Sequence, residues 1–107
     1  LVLSIDNRRS RLRAARHNAM IYSSFGRVEL VLADAASLQR LLRPGVVAGV
    51  FLSPPWAEEG LVAKDQGAFS VRQLAAGLDA AEILRSALAV APSAAMFLPR
   101  VTPRQEV

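Results

Sequence analysis

Val50-Phe51-Leu52-Ser53-Pro54-Pro55-Trp56 is the stretch on which the fold of this chain turns. The apolar run at its start predicts a buried strand. It stops at a hydroxyl, two prolines and the chain's only tryptophan. Each proline lacks the N–H that a ladder needs, so the chain leaves the sheet at Ser53 in an extended, stiff loop. A hydroxyl, free carbonyls and an indole face are thereby gathered at a strand's carboxyl end, where open parallel sheets bind their ligands. Such a loop suits a planar base: its oxygens accept from an exocyclic amino group while the aromatic face covers the ring.

Outward from this loop, apolar runs alternate with helical spacing. Val2–Ile5, Val28–Leu32, Val46–Leu52 and Ala94–Leu98 read as strands. Arg8–Tyr22 carries Leu12, Ala15, Ala19 and Tyr22 on one helical face and Arg9, Arg13 and Arg16 on another, with Asp6 or Asn7 placed to cap its start. Ala36–Leu42 is a short helix stopped by Arg43-Pro44-Gly45. Val71–Val90 reads as one long helix with an apolar stripe of Leu74, Leu78, Ala81, Leu84 and Leu88, a weak point at Gly77 and an end at Pro92. Glu58–Gly67 is polar and reads as a mobile loop. Helices alternating with continuously apolar strands predict an α/β chain with a parallel sheet buried on both faces. Parallel strands share one carboxyl edge, so Asp6, Asp34, the Ser53–Trp56 loop and Pro99-Arg100 are expected to converge there.

A chain of 107 residues that is 52% hydrophobic is at most one small domain, with enough apolar matter for a core. It has no cysteine, which excludes disulfides and thiolate metal sites and suits a cytosolic or nuclear protein. No apolar run reaches the ~20 residues of a membrane-spanning helix, and no signal peptide is visible. The net charge of +4 is concentrated at one end, where Arg8, Arg9, Arg11, Arg13 and Arg16 face Asp6 alone. That segment can attract polyanions; the plain alternative is a solvated helix face. The chain opens on Leu1, already inside a strand-like run, and is read as a segment of a longer protein.

A carboxylate ending the first strand, Asp6, can accept from the two ribose hydroxyls of an adenosine cofactor. Asp34, ending the second, can accept from an adenine amino group. Helix capping is the alternative role of each. The six glycines form no Gly-x-Gly-x-x-Gly, so a cofactor-binding glycine loop belongs to a strand before Leu1. His17 is the only histidine and has an ordinary surface role. The absence of a serine–histidine–acid set, a metal cluster and a Walker lysine motif argues against hydrolysis and phosphoryl transfer.

Ser53-Pro54-Pro55-Trp56 resembles the fourth motif of methyltransferases that act on amino groups of nucleic acids, and most of all that of the trimethylguanosine synthase family, the RNA cap guanine-N2 methyltransferases. Other segments agree in collinear order over nearly the whole chain. Leu3-Ser4-Ile5-Asp6 and Ala15-Arg16-His17-Asn18-Ala19 resemble the family's acidic strand end and its Ala-Arg-Asn-Asn-Ala helix. Phe69-Ser70-Val71-Arg72 resembles Phe-Asp-Ile-Arg, and Phe97-Leu98-Pro99-Arg100 matches a further family segment. The resemblance implies an incomplete Rossmann-like fold with S-adenosylmethionine as cofactor. Asp6 would bind its ribose and Asp34 its adenine. Trp56 would stack on the 7-methylguanine of a capped RNA, Ser53 and the Pro54 carbonyl would lie near the N2 amine, Asn18 would match an active-site asparagine, and Arg100 would contact cap phosphates. No metal and no membrane are implied; small nuclear or nucleolar RNAs would be the partners, and the nucleus the compartment.

The chain departs from the family where Ala57-Glu58-Glu59 replaces Gly-Gly-Pro, where Leu61 replaces a loop tyrosine and where Val101 replaces an asparagine. Two carboxylates beside a cap triphosphate would repel it unless they point away. Residues 1–107 would be the central part of a single methyltransferase domain, without the first strand, its glycine loop and the last strands. Two other readings remain open: transfer to another base amine such as adenine N6, and an RNA- or cap-binding homologue without catalysis.

Overall fold

The computed structural model describes residues 1–56, 70–100 and 102–107. It divides into two compact units, Leu1–Ser37 and Leu38–Val107. The loop expected over Glu58–Gly67 and the Ala57-Glu58-Glu59, Leu61, Phe69 and Val101 positions lie outside the described residues.

The first unit is a strand–helix–strand crossover. β1 (Val2–Asp6) and β2 (Val28–Leu32) pair in parallel, with Val2 opposite Val28 and Asp6 opposite Leu32. α1 (Arg9–Ile21) joins them and packs on both. β1 ends at the carboxyl edge and β2 begins at the amino edge, so α1 must run back from one to the other. Leu12 and Ala15 are half-buried and Ala19 is buried, as the helical spacing predicts. Tyr22 is not part of that face: it is the C-cap residue, 78% exposed, and its amide donates to the Asn18 carbonyl at 3.0 Å. The helix start also differs from expectation. Arg8 occupies the N-cap position and no side chain caps the helix; Asp6 instead accepts the Arg8 amide.

In the second unit, β3 (Val50–Leu52) and β4 (Ala94–Met96) pair in parallel. α3 (Ala80–Leu88) packs on both strands and on the short helix α2 (Leu38–Leu41). Leu38, Leu52, Val71, Leu74, Ile83, Ala87 and Val90 form the core. β3 is shorter than the run from Val46 because a turn through Pro44-Gly45 carries Val46 out to solvent, and pairing starts only where the Val50 amide meets the Ser93 carbonyl at 3.0 Å. Gly49 fits closely at that junction: a Cβ there would sit 3.0 Å from the Ser93 hydroxyl, which would have to shift by a few tenths of an ångström. β4 stops at Met96 rather than Leu98, because its partner has already left the ladder at Leu52.

The long helix expected over Val71–Val90 is broken. Gly77 takes a left-handed φ of +70°, Leu74 and Leu78 are extended, and Asp79 caps a new helix by accepting the Ala81 amide at 2.7 Å. The break rotates the buried face: Ala80, Ile83 and Ala87 point inward, while Leu88 is 50% exposed. The strands pair two by two, β1 with β2 and β3 with β4.

Candidate functional site

In the first unit, the carboxyl edge carries two carboxylates. β1 ends on Asp6, whose carbonyl accepts the Ala33 amide at 3.1 Å as β2 runs out. Asp34 follows directly and so shares that edge. Each side chain closes a local turn of its own, of the same kind. One Asp6 oxygen accepts the Arg8 amide at 2.7 Å, and one Asp34 oxygen accepts the Ala36 amide at 2.9 Å. The other Asp6 oxygen lies 3.7 Å from the Arg11 guanidinium. A carboxylate offers about four lone-pair sites, so each retains acceptors for an incoming hydroxyl or amino group. The capping role and the binding role are therefore compatible.

In the second unit, the last ladder contact is the Phe97 amide donating to the Leu52 carbonyl at 2.9 Å. Both strands then meet proline, Pro54 on one and Pro99 on the other, and neither can donate further. Ser53 is exposed, Pro54 and Trp56 are half-buried, and Arg100 is exposed. Among the described residues, nothing hydrogen-bonds the Ser53 hydroxyl or the Pro54 carbonyl, so both oxygens are available to a ligand. The Trp56 indole is half-buried, so part of its surface stays open to a ligand.

Asn18 lies apart from the two carboxylates of the first unit. It is exposed on the third turn of α1, toward the amino ends of β1 and β2 and away from Asp6 and Asp34. His17 beside it is exposed, as expected. Two features had no sequence signal. The Glu106 carboxylate accepts the Val71 amide at 2.8 Å and the Ser70 hydroxyl at 3.1 Å, across a separation no local pattern reveals. The Arg16 guanidinium lies 5.2 Å from the centre of the Phe25 ring. Among the described residues there is no group of three or more His, Asp or Glu side chains placed to hold a metal, and no helix long and apolar enough to cross a membrane.

Parallel strand pairs, covering helices and polar groups at the carboxyl ends of the strands in each unit define an α/β chain. The family model described as RNA cap guanine-N2 methyltransferase matches residues 1–107, the whole chain, and the chain belongs to that family. The family is one of RNA methyltransferases, so the class of chemistry is methyl transfer to capped RNA. No curated protein matches the chain.

Proposed function

We propose that this protein methylates the N2 amine of 7-methylguanosine caps using S-adenosylmethionine, with small nuclear and nucleolar RNAs as substrates and the nucleus as compartment. The observation that carries the reading is the Ser53-Pro54-Pro55-Trp56 loop at the carboxyl end of β3, its oxygens unengaged and its indole half-open, in a chain matched throughout by the cap methyltransferase family.

Asp6 and Asp34 fit the cofactor: they are neighbouring carboxylates at one strand edge with acceptors to spare. Asp6 would hold the ribose and Asp34 the adenine. When bound, S-adenosylmethionine supplies a methyl group activated by its sulfonium. The chain's own task is positioning, which can supply most of the barrier reduction in such a transfer. The Ser53 hydroxyl and Pro54 carbonyl accept from the N2 amine and aim its lone pair. Trp56 covers the guanine, whose N7 methylation makes the ring cationic and adds ~0.5–2 kcal/mol of cation–π attraction to stacking. Arg100 neutralises cap phosphates.

Residues 1–107 are proposed as the central part of one Rossmann-like domain. Two-stranded sheets are marginal alone, and parallel sheets are normally covered on both faces. Here Val2 (58%), Phe51 (71%) and Phe97 (59%) are exposed strand or strand-end residues, which suits further elements of the domain covering these faces.

The test is transfer of labelled methyl groups by the intact protein to 7-methylguanosine-capped RNA, to the same RNA with an unmethylated cap, and to uncapped adenine-containing RNA. Label on the first alone is expected. Label confined to uncapped RNA would replace this reading with a base-amine methyltransferase of another specificity. Firm cap binding without cofactor binding or transfer would replace it with a non-catalytic homologue.

A further inference from the structure

We propose that one flank of α1, with Phe25 at its foot, is a docking surface for the RNA chain beyond the cap. The proposal rests on the RNA-substrate reading and adds a second contact region, outside the strand-end loops. Arg9, Arg13 and Arg16 recur at steps of four and three residues, so they fall within ~60° of arc on the helix, spaced ~6 and ~4.5 Å along its axis. All three are exposed, and α1 contains no acidic residue. No acidic side chain among the described residues pairs with Arg9 or Arg13.

The arrangement runs against what helix stability alone favours. Positive charge is unfavourable at a helix N-terminus, where the macrodipole is already positive. α3 obeys that rule, with Glu82 in its first turn and Arg85 in its last, whereas α1 has no acid in its first turn and opens on Arg9 and Arg11. A local conflict of this kind is expected where function requires the charge.

The row has a direction. It starts at the edge that carries Asp6 and descends α1 to the amino ends of the strands. There Arg16 stands 5.2 Å over the Phe25 ring, which is 45% exposed. The two border an open groove of about 590 Å³ whose lining includes Gly26, Val28, Glu29 and Leu30. Glu29 disfavours a phosphate in that groove, so the groove takes the uncharged face of a base, and the phosphates follow Arg9 and Arg13. A basic row ending on an aromatic platform is the chemistry of single-stranded RNA binding, in which backbone neutralisation and base stacking act together.

The test uses the intact protein, a capped and an uncapped 20-nucleotide RNA, and a 7-methylguanosine cap dinucleotide, titrated across a series of salt concentrations. R9Q/R13Q should weaken both RNAs roughly fivefold to tenfold at low salt and lower the slope of log affinity against log salt by about 1.4, the loss of two phosphate contacts to single-stranded RNA. Dinucleotide binding should not move, KM for capped RNA should rise with kcat kept, and R9K/R13K should restore the slope. Phe25→Ala should weaken RNA severalfold with the slope unchanged. Unchanged RNA affinity and slope in R9Q/R13Q would overturn the proposal, as would equal losses for RNA and dinucleotide. Arginine-dependent binding of uncapped RNA without cap methylation would sink the cap reading and leave this surface standing; cap methylation with an unaltered slope would do the reverse.

Discussion

The Phe97 amide donates to the Leu52 carbonyl at 2.9 Å, and this bond is the last rung of the second sheet. Past it, Ser53-Pro54 and Leu98-Pro99 leave side by side, because neither proline can extend the ladder. The Trp56 loop and Arg100 therefore spring from the same end of the same strand pair. A platform and a cation thus start from adjacent strand ends through ladder geometry alone.

From that placement, Trp56→Ala should weaken binding of a 7-methylguanosine cap analogue by at least ~1 kcal/mol, or about fivefold in Kd. An unmethylated analogue should lose less, because it lacks the cation–π contribution. Fluorescence titration of both analogues checks the pair of values, and equal losses would remove the cationic ring from the account.

Asp6 serves a turn and, as proposed, a cofactor. Asp6→Asn keeps an acceptor for the Arg8 amide, while Asp6→Ala removes it. The alanine variant should lose ~1 kcal/mol of stability and the asparagine variant under ~0.5 kcal/mol. S-adenosylmethionine affinity, read by calorimetry, should fall in both. Undiminished affinity in both would leave Asp6 as a turn residue only.

Gly77→Ala probes the break before α3. Nothing lies within 4 Å of a Cβ at Gly77, so the cost is that of a left-handed φ of +70° in an L-residue, ~1–2 kcal/mol. Urea denaturation should show a lower midpoint with the slope kept. A neutral result would mean that the segment adopts the continuous helix which the spacing of Leu74, Leu78 and Ala81 suggests.

Glu106 ties two distant pieces of the second unit through the buried Val71. Glu106→Ala leaves the Val71 amide unpaired and should cost ~1–3 kcal/mol; Glu106→Gln, which keeps one acceptor, should cost less. Hydrogen exchange at the Val71 amide should accelerate in step with the loss.

The strand–helix alternation, the end of β3 at Ser53, the acidic end of β1 and the basic face of α1 were all legible in the chain, because each depends on local chemistry: apolar runs, missing N–H groups and residue spacing. The resemblance of the Ser-Pro-Pro-Trp loop to the cap methyltransferases was equally local, and the match over residues 1–107 agrees with it. What the chain could not reveal depended on distance or on competition between local preferences. Helical spacing continued through Gly77, but the backbone there turned left-handed and Asp79 began a new helix with a rotated face. The spacing that put Tyr22 with Ala19 could not register that the helix ends at Ile21.

The loop that opened this reading shows the division most clearly. Sequence alone determined that the chain must leave the ladder at Ser53 with an indole close behind, since proline chemistry allows nothing else. Only the tertiary structure decided which strand lies beside it, that Asn18 sits at the opposite edge from Asp6, and that Arg16 meets Phe25. Those relationships depend on register and crossover direction, which are set by packing between segments distant in the chain and leave no trace in any one of them.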